Sequence, residues 1–227
     1  MRVQARLRPL MAMTIAGAAL VFAACGSAAP PAVPPSDTAS YPALRDGGYA
    51  STTLSAEFAV PRPWLRAWLR DTGALTRNLE STDAIARPME AEVLEGEWYE
   101  PGSFRRLTLE DGHYVLERIV DTTPERLEYQ IWAFTNTAGR NLDHIQGIQT
   151  FSEVGDEAGG DRTAFTWTYA AFPDAGFKRP FVQRFVNREV RPYLQASLDA
   201  TVAEAEAAFR AERAGEPDRE SAGESAP

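Results

Sequence analysis

Arg105 and Glu117 are the residues best placed to do chemistry. They flank a short turn, Glu110-Asp111-Gly112-His113, between two alternating apolar and polar segments. A three-residue loop with a glycine bulge puts Arg105 opposite Glu117, whereas a two-residue loop puts Arg106 there. At a surface such a cross-strand pair contributes about 0.2–1 kcal/mol. Buried, it could orient a ligand carboxylate or take part in proton transfer. The two histidines offer less. His113 sits beside the turn, and His144 follows Asp143 in the polar stretch AGRNLDHIQ. Neither has a second ligand at metal-binding spacing, and HExxH, GxSxG and GxxxxGK are all missing from the sequence. No metal and no cofactor are expected. The single cysteine, Cys25, excludes an internal disulfide, a CxxC redox pair and a cysteine metal cluster.

The surroundings of Cys25 suggest a different use. Arg2, Arg6 and Arg8 precede the charge-free run LMAMTIAGAALVFAA, which ends at the cysteine. A basic start, a short apolar stretch and small residues at a cut site describe an export signal. The run is short for a spanning helix, which needs about 20 residues. Phe22-Ala23-Ala24-Cys25 resembles the bacterial lipobox, with Phe22 where leucine is usual. Residues 1–24 are therefore expected to be a lipoprotein signal peptide and Cys25 the lipidated residue. The chain would be exported and lipid-anchored in the cell envelope. Gly26 favours the periplasmic face of the outer membrane in a Gram-negative cell.

The net charge of the chain is −9; without the three arginines of residues 1–24, 20 basic residues face 32 acidic ones, a net −12. Such a chain repels phosphate backbones, so no nucleic acid partner is expected. Residues 25–49 are rich in Pro, Ala and Ser and read as a tether behind the lipidated cysteine. Residues 213–227 hold no large apolar group and read as a disordered tail. The remainder, 50–212, has the size of one domain.

Within it, TLSAEFAV (53–60) alternates as a strand and stops at Pro61. Trp64, Leu65, Trp68 and Leu69 then recur at helical spacing, and a second short helix is expected over 74–79. Strands follow at 89–94, 102–109, 114–120, 127–134, 147–154 and 163–172. Short turns between consecutive strands imply an antiparallel sheet. From Lys178 to about Glu212 apolar residues form one helical stripe, which Pro192 should kink. So broad an apolar face has to lie on the sheet.

This order resembles the SRPBCC or START-like superfamily, which includes polyketide cyclase/dehydratase and lipid-transport proteins. The stretches EFAVPRPWLRAWLRD, EPGSFRRLTLEDGHYVLERI, GDRTAFTWTYAAFP and FVNREVRPYLQASLDATVAEAE carry the resemblance across roughly residues 53–209. It implies an α+β helix-grip fold, in which a curved seven-stranded antiparallel sheet wraps around a long C-terminal helix. It also implies a cavity between the two. The candidate lining is Tyr114, Trp132, Phe165, Trp167, Tyr169, Phe181, Phe185 and Tyr193, with Arg105 and Glu117 as a polar pair. Aromatic walls with a few polar groups suit a hydrophobic small molecule or lipid. The expected function is non-catalytic binding or carriage of such a ligand by a monomeric, membrane-anchored protein. The alternatives are a cyclase/dehydratase-like enzyme acting in the same cavity, and an envelope interaction protein whose cavity is filled.

Overall fold

The computed structural model describes residues 29–155 and 161–215. The expected signal peptide and Cys25 lie outside them, as do residues 156–160 and residues 216–227 of the tail.

Seven strands form one antiparallel sheet: β1 (Ala50–Phe58), β2 (Pro88–Glu95), β3 (Phe104–Leu109), β4 (Tyr114–Thr123), β5 (Arg126–Trp132), β6 (Leu142–Val154) and β7 (Arg162–Pro173). Their spatial order is β1-β7-β6-β5-β4-β3-β2. Apart from the pairing of β1 with β7, every neighbour is also a neighbour in sequence, as short turns require. Register shifts between Pro88 and Glu90, Val93 and Glu95, and Ile119 and Asp121 interrupt the ladders. Such bulges raise the local twist and bend the sheet.

The β3–β4 turn takes the three-residue form. Gly112 N–H donates to Leu109 O (2.9 Å), Leu109 N–H donates to His113 O (2.7 Å), and Gly112 has φ 79°. A side chain is strained in that left-handed conformation, so the glycine sets the turn. The turn in turn aligns Arg105 with Glu117.

α1 (Arg62–Thr72) follows β1 after the proline step, and Gly73 at φ 60° caps it and leads into α2 (Ala74–Arg77). The C-terminal run opens with a 3-10 turn at Gly176–Lys178 and continues as α3 (Arg179–Phe185), a π-helical turn (Val186–Val190) and α4 (Arg191–Gly215). The π turn is the local answer to Pro192. Arg191 N–H donates to Val186 O, five residues back, so the register shifts in the turn ahead of the residue that has no N–H to give. This run lies along β1 and seals its edge. Gln183 exchanges hydrogen bonds with Ser51 N and O (3.1 and 3.0 Å), Arg191 donates to Thr52 Oγ1 and Thr53 O, and Ala59 N donates to Glu206. Edge strands need such cover. One half of the helix–sheet interface is solid core, built on Phe58, Leu65, Phe151, Phe165, Leu194 and Leu198.

Three expectations change. His144 belongs to β6, which starts at Leu142 rather than 147, and is fully buried. Its Nε2 meets Tyr49 Oη (2.9 Å) and its Nδ1 meets Asp143 (2.9 Å). The helix continues past 212 to Gly215. From Ala29 onward the segment expected to be a free tether is laid across the convex face of the sheet. Pro35 O accepts from Arg106, Ser40 O from Trp132 and Pro42 O from Gln130, while Tyr41 lies 3.7 Å from the Arg118 guanidinium. Proline-rich chain has little conformational entropy left to lose, and its unpaired carbonyls meet donors that the sheet would otherwise leave exposed.

Candidate functional site

Strand parity decides which side chains can meet the helix. On β3 and β4 the concave face takes Arg105, Leu107, Leu109, Val115, Glu117 and Ile119. β5 contributes Leu127, Tyr129 and Ile131, and β7 contributes Trp167, Tyr169 and Ala171. Val182, Phe185, Val186, Val190 and Tyr193 close the space from the helix side. The cavity between them is partly open to solvent and measures about 700 Å³. Its wall is mostly aliphatic and aromatic, which is the composition of small-molecule pockets.

Polar side chains interrupt this wall, among them Arg66, Asp71, Asn136 and Gln149, with Arg105 and Glu117 on the sheet. Arg105 Nε and one terminal nitrogen donate to the same Glu117 oxygen at 2.6 and 2.5 Å, and both side chains are largely buried. The Arg105 guanidinium stacks 3.8 Å from the Trp98 ring. Stacking and charge pairing together offset the desolvation of both ions. Trp98 Nε1 is buried with no hydrogen-bond partner among the described residues. Tyr129 Oη accepts from Trp167 Nε1 at 2.9 Å. The Tyr129 ring lies flat on Gly147, where a Cβ would sit 2.0 Å from the ring. Burial holds the Tyr129, Tyr169 and Tyr193 phenols above their usual value of 10.0, with Glu117 adding to the effect at Tyr129 and Tyr169. All three are therefore protonated near neutral pH.

Four of the eight aromatic candidates meet in this cavity: Trp167, Tyr169, Phe185 and Tyr193, together with Arg105 and Glu117. The other four lie elsewhere. Tyr114 sits one position out of phase with Glu117 and faces Arg106 on the convex side (5.9 Å). Trp132 is out of phase with Tyr129 and packs on Phe104 beneath the N-terminal segment. Phe165 points inward but is spent in solid core, edge-to-face on Phe58 (5.8 Å) and tilted on Phe151 (5.1 Å). Phe181 is 74% exposed, because its neighbour Val182 takes the inward position of α3. Sequence reasoning missed Tyr129. The alternation of LEYQIW carries the signal, since Leu127, Tyr129 and Ile131 share one face and Glu128, Gln130 and Trp132 the other.

Fold and site together define a helix-grip domain with a partly open, mostly apolar cavity between sheet and helix. Among solved structures, the chain is similar to the crystal structure of Ara h 8.0201, with 18% identity and a TM-score of 0.48, covering 68% of this chain and 99% of that chain. No protein-family model matches the chain. No curated protein matches it either.

Proposed function

We propose that the chain is an envelope lipoprotein of the SRPBCC/START-like kind, anchored by a lipidated Cys25, that binds and carries a hydrophobic small molecule or lipid. The carrying observation is the cavity of about 700 Å³ between sheet and helix, walled mostly by apolar side chains and furnished with the Arg105–Glu117 ion pair. Such a volume falls within the usual range for ligand pockets, roughly 300–1,000 Å³. It also argues against a domain that fills its interior with its own side chains. The phenols favour binding over catalysis. Their raised proton affinities suit them to donate hydrogen bonds to a ligand oxygen and unsuit them as bases at neutral pH.

The test is to purify the full chain from envelopes, extract it with organic solvent and analyse the extract by mass spectrometry. A bound amphiphile in stoichiometric amount is expected, and less of it in Ile131→Trp, which puts a bulkier side chain into the cavity. Protein free of extractable ligand overturns the carrier reading. Anchoring is tested separately by metabolic labelling with an alkyne fatty acid. Wild type should take the label and Cys25→Ser should not; equal labelling overturns the lipidation.

A further inference from the structure

Phe177 and Phe181 are 77% and 74% exposed. They stand four residues apart where the last 3-10 turn runs into α3, so both project from one short stretch of surface. Two phenylalanines exposed so close together in the chain are costly in water and mark a contact surface. The stretch 176–188 around them carries Lys178, Arg179, Arg184 and Arg188 and no acid, in a chain of net charge −9. Lys178 pairs with Asp174 (2.9 Å) and Arg188 with the following Glu189 (3.3 Å). Arg179 donates to Tyr49 O, and Arg184 has no ion-pair partner among the described residues. Aromatic rings among basic side chains match an anionic lipid surface.

The N-terminal segment points the same way. A Cβ on Gly112, at the tip of the β3–β4 hairpin, would lie 3.1 Å from Pro30, so the described chain begins at that tip. The strand pairings put the tip, the β5–β6 connection and the end of β7 at one end of the sheet, because Tyr114 O binds Thr135 and Leu142 pairs with Pro173. Phe177 follows directly from that end. Four strand spacings separate β3 from β7, a lateral distance of about 19 Å. Cys25 precedes Ala29 by four residues, which span at most about 14 Å.

We infer that this end of the domain, with Phe177 and Phe181 as its anchors, rests on the lipid bilayer. The inference uses the reading of Cys25 as lipidated. A seated N-terminal segment leaves only a short leash, so the acyl chains hold this end, and not the β4–β5 end, at the membrane. Val182 and Phe185, next along α3, line the cavity, so the face that meets lipid adjoins the proposed binding space.

The test places an environment-sensitive thiol probe on Phe181→Cys, and in a second chain on Thr123→Cys at the opposite end, in the full chain reconstituted into phosphatidylethanolamine/phosphatidylglycerol vesicles. Iodide quenching at position 181 should be several-fold weaker than at 123, and adding Phe177→Ser should restore much of it. Equal quenching at the two positions overturns the inference. So does shielding that fades when the chain is diluted among the lipid, which would mark contact with a second copy. The wild-type chain is the control for the leash. If its Cys25 takes the probe, the lipidation reading fails, and the same comparison in a Cys25→Ser background decides whether the aromatic end binds lipid unaided. Ligand extraction reports on carriage independently of every one of these outcomes.

Discussion

The two faces of the sheet are built from similar residues and end in opposite states. The convex face presents Trp132, Phe104, Arg118, Gln130 and His144, and the segment 29–49 answers them. Gln130 is fully buried between Arg118 and Pro42 O (2.7 and 2.8 Å), and His144 is fully buried between Tyr49 and Asp143. The concave face presents Trp167, Tyr129, Tyr169, Arg105 and Glu117, and no segment fills it. There Arg105 pairs with Glu117 and Trp167 with Tyr129, and about 700 Å³ stays open. A buried polar group needs a partner, but the partner can be another strand, a strap of the same chain or a ligand. On one face the chain supplied the strap; on the other it left the space.

The largest expected effect falls on the backbone that makes room for the cavity wall. Gly147→Val drives a side chain into the Tyr129 ring, and a loss of about 3 kcal/mol or more is expected. Thermal unfolding would read it as a fall in Tm of about 10 °C. If Gly147→Val melts like wild type, the concave wall is not packed as described.

Next is the ion pair. Glu117→Ala leaves Arg105 buried without its carboxylate and should cost about 3–5 kcal/mol, whereas the double change Arg105→Met/Glu117→Leu should recover most of that. Denaturant midpoints of the three variants check it; a double variant no better than the single would mean that the pair is held for another reason.

On the convex face, Trp132→Phe keeps the ring packing and removes the donor to Ser40 O, so a loss of about 1 kcal/mol is expected, with ligand occupancy unchanged. Faster exchange of the amides in 36–45 would accompany it. Reduced ligand occupancy in this variant would break the separation of the two faces.

A further effect concerns pH. Folded Tyr129, Tyr169 and Tyr193 hold their protons more tightly than the unfolded chain does at the usual value of 10.0. The stability tied to those protons is intact below pH 10 and declines as the pH climbs above it, by up to about 1.4 kcal/mol per pH unit for each group. Tyr129→Phe should weaken the fold at neutral pH by about 1–3 kcal/mol, through the lost acceptor for Trp167, yet make the alkaline decline shallower. Melting curves from pH 8 to about pH 11 test both signs.

Much of the fold was legible because it follows from local rules. Alternation marked the strands, Pro61 and Gly73 punctuated α1, and the apolar stripe marked the final helix. Gly112 restricted the hairpin to two registers, and the observed one sets Arg105 against Glu117. The site was half legible. On β7, Phe165, Trp167 and Tyr169 were assigned to a single face, and the strand keeps it. On β4 and β5 both faces are buried, so composition does not mark the inward one. Tyr114 and Glu117 cannot share a face, nor can Trp132 and Tyr129, and choosing by aromatic character cut across the period.

The order of strands and helices, the hairpin glycine and the amphipathic final helix were settled by the sequence alone, because each rests on neighbours a few residues apart. Three things waited for the tertiary structure: which face of the doubly buried strands looks at the helix, the seating of residues 29–49 on the other face, and the unfilled space within. Each depends on what a distant segment does or fails to cover, and a residue's own type and spacing carry no record of that.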